Sequence, residues 1–283
     1  MIKGGDTMAR KDKKNWEKLF RVTNGKDFAY SKFDPDATPG IADREEAAAI
    51  LAKNTVRMNQ LQERLYAAGA QSLLIVLQAL DTGGKDGTIR AIFGPLNPQG
   101  VQVTSFKVPS AQELSHDYLW RVHQQVPPKG MIGIFNRSHY EDVLVVRVHQ
   151  LVEEKVVKKR YAQINAFEEH LQENGVTILK FHLCISRDEQ RERLQKRLDD
   201  PEKHWKFNTG DLAERAIWDK YVDAYEKMLR NCAPSSAPWH VIPANKKWYR
   251  NAVISQIVTD AMEKMNPQFP PAEEGLDSVV IPE

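Results

Sequence analysis

A loop with the spacing of a phosphate-binding site lies in the first third of the chain. Ala79 is separated by four residues from Gly84 and Lys85 in the segment Ala79-Leu-Asp-Thr-Gly-Gly-Lys85. This is the spacing of a phosphate-binding loop, with Ala at the first Gly position. Glycines let backbone N–H groups turn toward an anion, a following helix adds its positive end, and Lys85 adds a full charge. The segment predicts binding of phosphate groups; the alternative is a glycine-rich turn with a solvated lysine.

The residue after the lysine departs from the usual loop. A Ser or Thr normally follows, and its hydroxyl binds Mg²⁺, but this chain has Asp86. Metal binding therefore requires another oxygen. Asp81 is the nearest carboxylate in the loop, and Mg²⁺ prefers one or two carboxylates together with phosphate oxygens and water. We expect Asp81 to be the metal ligand.

A second polar segment, Asn136-Arg-Ser-His-Tyr-Glu-Asp142, follows a later apolar run. The Arg137 guanidinium could hold phosphate oxygens in a bidentate manner, and Glu141 and Asp142 offer carboxylates to a metal or an acceptor. The alternative is a surface loop with an internal ion pair between Arg137 and a carboxylate. Phosphoryl transfer needs a carboxylate near the phosphate loop and a cation on the migrating group, which favours the functional interpretation.

Basic residues are concentrated between positions 187 and 206. They are Arg187, Arg191, Arg193, Lys196, Arg197, Lys203 and Lys206. A helix with this composition is often a solvated surface, and the alternative is a mobile lid that closes cations over a phosphate-rich ligand. Arg193 and Arg197 lie four residues apart, a spacing at which like charges repel on a helix. A bound anion would relieve that repulsion.

Alternating strands and helices must position these residues. The predicted strands are 73–77, 101–107, 131–135, 177–185 and 239–242. The predicted helices are 43–68, 85–94, 110–125, 153–174, one that begins after Ser186, 211–231 and 246–265. The first is capped by Asp43, stops at Gly69 and has Ile50, Val56, Leu61 and Leu65 on one face. Ser110 with Glu113, and Ser186 with Glu189, are capping pairs at two of the other helix starts. This order predicts an α/β fold, a five-stranded parallel sheet between two helical layers. Ligands of such sheets bind at the carboxyl ends of the strands.

The composition of the 283 residues is that of an ordinary soluble protein, with 41% hydrophobic and 28% charged residues and a net charge of +2. No apolar run approaches the roughly 20 residues that span a bilayer, and residues 1–18 lack a signal-peptide core, so we expect a cytoplasmic protein without membrane contact. Cys184 and Cys232 are expected to be packing residues. Nucleic acid is not an expected partner, because the basic residues are concentrated near the loop. We divide the chain into an N-terminal arm (1–40), one domain (41–265) and a C-terminal tail (266–283).

Four motifs make residues 30 to 265 resemble the polyphosphate kinases of the second family, which use inorganic polyphosphate to phosphorylate nucleotides. The motifs are Gln78–Thr88, Phe135–Asp142, Ser115–Arg121, and Trp205–Phe207 together with Ile242–Asn245. The resemblance implies a P-loop kinase fold similar to that of thymidylate kinase, with a helical lid at about 187–210. It also implies dependence on Mg²⁺, with Mn²⁺ as an alternative ion, and a homodimer or homotetramer.

The resemblance also implies roles for individual residues. Asp81 would bind the metal, and Asp81, Lys85, Arg137 and Glu141 would be catalytic. The phosphate-binding set would be Gly83, Gly84, Lys85, Asp86, Gly87 and Thr88, with the lid cations Arg193, Arg197, Lys203 and Lys206. The nucleotide-binding set would be Asn136, Arg137, Glu141 and Asp142. Many members have Asn-Arg where this chain has Glu141-Asp142; the departure resembles the subgroup that accepts both AMP and ADP, and Glu141 is the candidate for acceptor choice.

The expected reaction is reversible transfer of the terminal phosphoryl group of polyphosphate to ADP and AMP, giving ATP and ADP. Guanine nucleotides are further candidate acceptors. One alternative is an ATP-dependent nucleoside monophosphate kinase, against which Asp86 and the dense lid cations argue. The other is a non-catalytic polyanion-binding protein on a P-loop scaffold, against which Asp81 beside Lys85 argues.

Overall fold

The aliphatic segments of the chain form a six-stranded sheet. The computed structural model describes residues 15–22 and 28–282. The strands are β1 (Arg21–Val22), β2 (Ser72–Gln78), β3 (Val101–Ser105), β4 (Ile132–Asn136), β5 (Val176–Cys184) and β6 (Trp239–Pro243). Their order is β1-β6-β5-β2-β4-β3, and β1 alone is antiparallel to its neighbour. The five predicted parallel strands are confirmed. The edge strand β1 was not predicted, because two residues are too few to show a periodicity.

Helices cover the sheet in two groups. They are α1 (Trp16–Phe20), α2 (Arg44–Ala68), α3 (Lys85–Ile92), α4 (Ala111–Leu114), α5 (Trp120–His123), α6 (Val145–Val148), α7 (Glu154–Glu173), α8 (Arg187–Leu198), α9 (Gly210–Ala216), α10 (Trp218–Asn231) and α11 (Lys247–Met265). Helix α11 packs against α1, α2 and α3, whereas α10 packs against α6 and α7. Every residue of β2 is buried, as expected for a parallel strand covered on both faces. None of the helices in the described residues has the length and hydrophobicity required to cross a membrane.

The position of β2 in the sheet determines where the site lies. Its neighbours are β4 and β5, so the chain crosses from one side of β2 to the other between these two strands. Leu77 is in register with Asn136, and Gln78 is in register with His182. The segments that follow β2 and β4 therefore leave the sheet side by side at a topological switch point, where α/β proteins bind ligands.

Local capping signals were predicted correctly. The Asp43 side chain accepts hydrogen bonds from the N–H groups of Glu45 and Glu46 at the start of α2, and Gly69 ends that helix with a left-handed backbone. The Ser110/Glu113 capping box is present, and the Ser186 hydroxyl accepts from the Glu189 N–H. These signals depend on side chains within three residues of the helix end, so tertiary packing did not alter them.

Three helix predictions were wrong in part. Val56 is 62% exposed, because α2 buries the face that contains Met58, Leu61 and Leu65. The predicted helix 110–125 is two short helices, α4 and α5, separated where the Ser115 hydroxyl and the Asp117 carboxylate bind nearby backbone groups. The predicted helix 211–231 is divided into α9 and α10 at Ile217, whose backbone is not helical (φ −101°, ψ 27°).

The described parts of the N-terminal arm pack against the domain. Trp16 and Phe20 are buried, and the Trp16 indole and the Tyr249 hydroxyl both donate to the Pro39 carbonyl, at 3.0 and 2.9 Å. The Tyr30 hydroxyl contacts the imidazole of His182 in β5. Residues 1–14 and 23–27 of the arm lie outside the described residues. The boundaries of arm, domain, lid and tail remain predictions.

Candidate active site

The phosphate-loop segment turns sharply between β2 and α3. The Gly83 N–H donates to the Leu80 carbonyl at 2.9 Å, and Gly84 has a left-handed backbone (φ 99°) immediately before α3 begins at Lys85. Thr82 is also left-handed (φ 62°), a conformation that costs a residue with a Cβ about 1–2 kcal/mol. The tight turn leaves the N-terminal N–H groups of α3 at the carboxyl end of β2, the arrangement that favours anion binding.

Lys85 lies within this loop and is only 9% exposed. Its ammonium group donates to the Ala79 carbonyl at 2.9 Å. Burial and the neighbouring Arg137 charge lower the pKa of Lys85 to about 8, although Asp81, Glu141 and Asp86 act in the opposite direction. A phosphate group placed beside Lys85 would add negative charge and stabilise the charged lysine.

Arg137 joins the two predicted site segments. It follows β4 with a left-handed backbone (φ 64°), and its N–H donates to the Leu77 carbonyl at 3.1 Å. Its Nη2 donates to Asp81 Oδ1 at 2.6 Å, and its Nη1 lies 3.6 Å from Glu141 Oε2. The guanidinium therefore sits between a carboxylate of the phosphate loop and a carboxylate of the second segment. The Arg–carboxylate pair left open as an alternative is present, and it links the segments.

Arg137, Asp81 and Glu141 each stabilise the charged form of an oppositely charged neighbour. Burial acts to lower the pKa of Arg137, but Glu141 and Asp81 outweigh it and raise the pKa above its ordinary value. Burial raises the pKa of Glu141, against the opposing effects of Arg137 and Lys85. The Arg137 and Asp81 side chains are 38% and 28% exposed, so a ligand can reach both groups.

Asn136 and Asp142, the other predicted nucleotide-binding residues, are engaged with different partners. The Asn136 amide donates to Asp86 Oδ1 at 2.7 Å, which connects β4 to the start of α3. Asp142 accepts from Arg160 Nη1 at 3.0 Å. Burial raises the pKa of Asp142 to about 6, although Arg160 acts to lower it. In this structure Asn136 faces the loop, whereas Asp142 faces α7.

The four predicted lid cations divide into two kinds. Arg193 is 7% exposed and donates to the carbonyls of Thr82, Ala244 and Asn245 as well as to Glu189 Oε1. It therefore holds the phosphate loop against the β6–α11 connection. The remaining three lie nearer the surface: Arg197 donates to the Lys206 carbonyl and pairs with Asp211, Lys203 pairs with Asp200, and Lys206 lies over the Trp205 ring.

Several residues at the site were not predicted. Gln190 Nε2 donates to the Asp81 carbonyl at 3.1 Å, and Gln78 Nε2 is oriented to donate to Glu141 Oε1 at 3.0 Å. Glu214 and Tyr221 line a small cavity beside Asp81 and Arg137. Tyr221 is buried and donates to Glu214 Oε2 at 2.6 Å. Amide and tyrosine side chains have no distinctive spacing, so the sequence offered no signal for these contacts.

A buried network of polar side chains packs against the segment 136–142 that contains Arg137. The Lys180 ammonium of β5 donates to Glu168 Oε2 at 2.6 Å and to the Tyr140 hydroxyl at 2.9 Å. Glu168 Oε1 accepts from the Tyr140 hydroxyl at 2.7 Å and lies 3.2 Å from His139 Nε2. All four side chains are almost completely buried. The network fixes the backbone just after Arg137.

The residues of the loop fit a magnesium ion bound together with a phosphorylated ligand. Within residues 15–22 and 28–282, no group of three or more His, Cys, Asp or Glu side chains could hold a metal without help. Asp81 is one partly exposed carboxylate beside the N terminus of α3, and Mg²⁺ commonly takes one or two carboxylates with phosphate oxygens and water. The donor set therefore suits a metal that arrives with phosphates.

Comparisons with known proteins show which family this chain resembles. A family model described as "Polyphosphate kinase 2 (PPK2)" matches residues 41–270. The chain is 54% identical over 265 residues to an AMP/ADP-polyphosphate phosphotransferase of Meiothermus ruber, covering 93% of this chain and 99% of that protein. It is 42% identical over 265 residues to an ADP-polyphosphate phosphotransferase of Rhodopseudomonas palustris, covering 89% and 92% of the two chains.

A solved structure is similar throughout. The crystal structure of Polyphosphate Kinase 2 from Arthrobacter aurescens TC1 has 46% sequence identity and a TM-score of 0.90, and the match covers 93% of this chain and 94% of that one. The family model spans the phosphate loop, the Arg137 segment and the basic helix α8. The chain belongs to the polyphosphate kinase 2 family.

Proposed function

We propose that this protein transfers the terminal phosphoryl group of inorganic polyphosphate to ADP and AMP, giving ATP and ADP. The observation that supports this most strongly is the bridge that Arg137 makes between Asp81 of the phosphate loop and Glu141. A cation that contacts both segments is suited to stabilise a phosphoryl group that passes between ligands bound to them. The names of the relatives from Meiothermus ruber and Rhodopseudomonas palustris support the choice of donor and acceptors.

In the proposed reaction, a terminal phosphate oxygen of the acceptor nucleotide attacks the last phosphorus of the chain. One P–O bond forms, the bond to the rest of the chain breaks, and the shortened polyphosphate leaves. No covalent enzyme intermediate is required, because positioning and charge stabilisation provide most of the catalysis in phosphoryl transfer. Lys85 and the N terminus of α3 bind the phosphate chain, and Arg137 stabilises the group in transit.

Asp81 is the proposed magnesium ligand. The bound ion would neutralise charge on the phosphate oxygens. The role of the protein is to hold the carboxylate in place. Arg137 donates a hydrogen bond to the Asp81 carboxylate, and Gln190 donates one to the Asp81 backbone carbonyl. Glu141, held by Arg137 and Gln78, is proposed to influence the choice between AMP and ADP. Use of Mn²⁺, guanine nucleotide acceptors and a homodimeric or homotetrameric state also remain proposals.

The test is an assay of the purified protein with Mg²⁺, long-chain polyphosphate and either AMP or ADP, beside the variant Asp81→Asn. We expect ADP from AMP, ATP from ADP, and loss of both activities in the variant and in the presence of a chelator. Product from one nucleotide alone would contradict the proposed acceptor range. Activity with ATP and AMP but none with polyphosphate would instead indicate a nucleoside monophosphate kinase.

A further inference from the structure

A second buried arginine, Arg250, packs against the backbone of the phosphate loop. It lies in the first turn of α11 and is 1% exposed. A Cβ atom added to Gly84 would lie 2.1 Å from Arg250 Nη1, and one added to Gly87 would lie 3.6 Å from Arg250 Nη2. The guanidinium therefore packs directly against the backbone that begins α3.

The charge of Arg250 is not neutralised by a carboxylate in the described part of the chain. Its Nε and Nη2 donate to Asn251 Oδ1 at 3.1 and 2.9 Å, and that oxygen belongs to a neutral amide. Its Nη1 has no hydrogen-bond partner among the described residues. Burial, together with the charge of Arg193, lowers the pKa of Arg250 to about 9. A buried cation without a counter-ion costs free energy, and this one lies beside a loop expected to bind anions.

Arg193 provides an internal comparison. It also lies against the loop, but Glu189 Oε1 accepts from its Nε at 2.6 Å and three backbone carbonyls accept from its other nitrogens. Arg193 thus has the contacts expected of a structural arginine. Among residues 15–22 and 28–282, the Arg250 side chain hydrogen-bonds only to Asn251. Its positive charge therefore acts on the nearby backbone of Gly84 and Gly87 without a carboxylate to offset it.

We propose that Arg250 is a positioning residue that strengthens binding of the phosphate chain of the donor through the backbone of Gly84 and Gly87. Its unneutralised charge adds to the positive potential at the N terminus of α3, where the α3 N–H groups and Lys85 face the ligand. This inference rests on the proposed function, in which that loop binds polyphosphate. Arg250 reaches the loop from within the fold and does not need to touch the substrate.

The first test adds a carboxylate without removing the arginine. Asn251→Asp keeps the size of the side chain and the accepting oxygen, and converts the partner of Arg250 from an amide to an anion. We expect the KM for polyphosphate, and the dissociation constant for inorganic polyphosphate measured by calorimetry, to rise about tenfold, equivalent to 1.4 kcal/mol. The KM for ADP should change little, and the melting temperature should not fall, because the buried cation gains a counter-ion. The logarithmic dependence of KM on salt should become shallower, because less positive charge acts on the polyanion.

Asn97→Asp is the matched control. It makes the same change of charge at an exposed residue whose Oδ1 accepts from the Gln99 N–H, a bond that a carboxylate can also accept. Asn97 precedes β3 and therefore lies toward the opposite end of the parallel sheet from the loop. We expect its constants to equal those of the unmodified protein.

Arg250→Met and Arg250→Lys complete the series. We expect the methionine variant to weaken polyphosphate binding by at least about tenfold, and the lysine variant to restore part of it because the charge is retained. The proposal is overturned if Asn251→Asp binds polyphosphate as the control does, or if the KM values for ADP and polyphosphate rise together. Calorimetry separates failure of the Arg250 proposal from failure of the proposed function, because it reports polyphosphate binding even if no nucleotide is phosphorylated.

Discussion

Arg137 Nη2 donates to Asp81 Oδ1 at 2.6 Å across 56 residues of sequence, joining the loop after β2 to the segment after β4. Removal of this guanidinium leaves Asp81 and Glu141 without their shared cation. We predict that Arg137→Ala lowers kcat by about 10³ to 10⁵, the range seen for arginines that stabilise a transferring phosphoryl group. Arg57→Ala is the control, because Arg57 pairs with Glu263 on the exposed surface. Near-normal turnover in Arg137→Ala would remove Arg137 from the catalytic group.

The pKa of Lys85 predicts an alkaline limit to activity. This pKa is lowered to about 8, so the lysine loses its charge as the pH rises through that value. We expect kcat/KM for polyphosphate to fall above about pH 8, since kcat/KM reports ionisation of the free enzyme. The fall in kcat should occur at a higher pH than the fall in kcat/KM, because bound phosphate favours the charged lysine. A kcat/KM profile that stays flat to pH 9.5 would contradict the assignment.

The lowered pKa of Lys85 should limit activity at alkaline pH, but it should increase the stability of the fold as the pH rises. Between about pH 8 and the ordinary lysine pKa of 10.5, the unfolded chain binds a proton at this position that the folded protein does not. The contribution of Lys85 to the free energy of unfolding therefore increases with pH over that window. Stability measurements beside the activity profile will show whether loss of activity at high pH reflects ionisation or unfolding.

Gly84 is required for two separate reasons, and a matched substitution separates them. Gly84→Ala would place a Cβ at φ 99° and 2.1 Å from Arg250 Nη1, whereas Gly175→Ala would place one at φ 88° with nothing nearer than 3.6 Å. Both variants pay for a left-handed backbone, about 1–2 kcal/mol. Only Gly84→Ala must also displace the buried Arg250 guanidinium or the phosphate loop that packs against it. Displacement of the loop by about 1 Å can lower the rate about 10²-fold. We expect Gly175→Ala to be destabilised but active, as measured by thermal denaturation and turnover.

The buried pair between Lys180 and Glu168 predicts a large effect on stability. Both side chains are at most 1% exposed. Lys180→Met should lower the free energy of unfolding by about 3–5 kcal/mol, because Glu168 would remain buried without its cation. Lys227→Met, which breaks the exposed pair with Asp223, should cost about 0.2–1 kcal/mol. Equal losses in denaturant titrations of the two variants would contradict this account.

Glu168 also makes the network sensitive to acid. Burial acts to raise the pKa of Glu168, but Lys180 and His139 outweigh it and lower the pKa below the ordinary value of 4.5. A lowered carboxylate pKa contributes stability above the unfolded value, and that stability is lost as the pH falls through the folded one. We therefore expect Glu168→Gln to reduce the acid dependence of the free energy of unfolding below about pH 4.5.

Glu141 offers a test of acceptor choice. It lies 3.6 Å from Arg137 and contacts Gln78, so the change Glu141→Gln retains its size and removes its charge. We predict that the ratio of kcat/KM for AMP to kcat/KM for ADP changes at least about fivefold, about 1 kcal/mol, while the KM for polyphosphate stays within a factor of two. Asp142→Asn is a useful comparison, because Asp142 pairs with Arg160 away from Asp81. An unchanged ratio in Glu141→Gln would show that acceptor choice lies elsewhere.

The sequence alone determined the local features of this protein. Aliphatic runs located the five parallel strands, since burial on both faces removes polar residues from such strands. The caps at Asp43, Ser110 and Ser186 fixed helix starts through contacts within three residues. The glycine spacing located the loop before α3, because backbone turns of this kind need particular residues at particular positions.

Only the tertiary structure decided which charges meet and which are buried. The sequence grouped Arg193 with Arg197, Lys203 and Lys206, but folding buries Arg193 among backbone carbonyls and leaves the others nearer the surface. It gave no reason to single out Arg250, which reaches Gly84 from a helix more than 160 residues later in the chain. Periodicity describes one element at a time, whereas the environment of a charge depends on elements that pack together from distant parts of the chain.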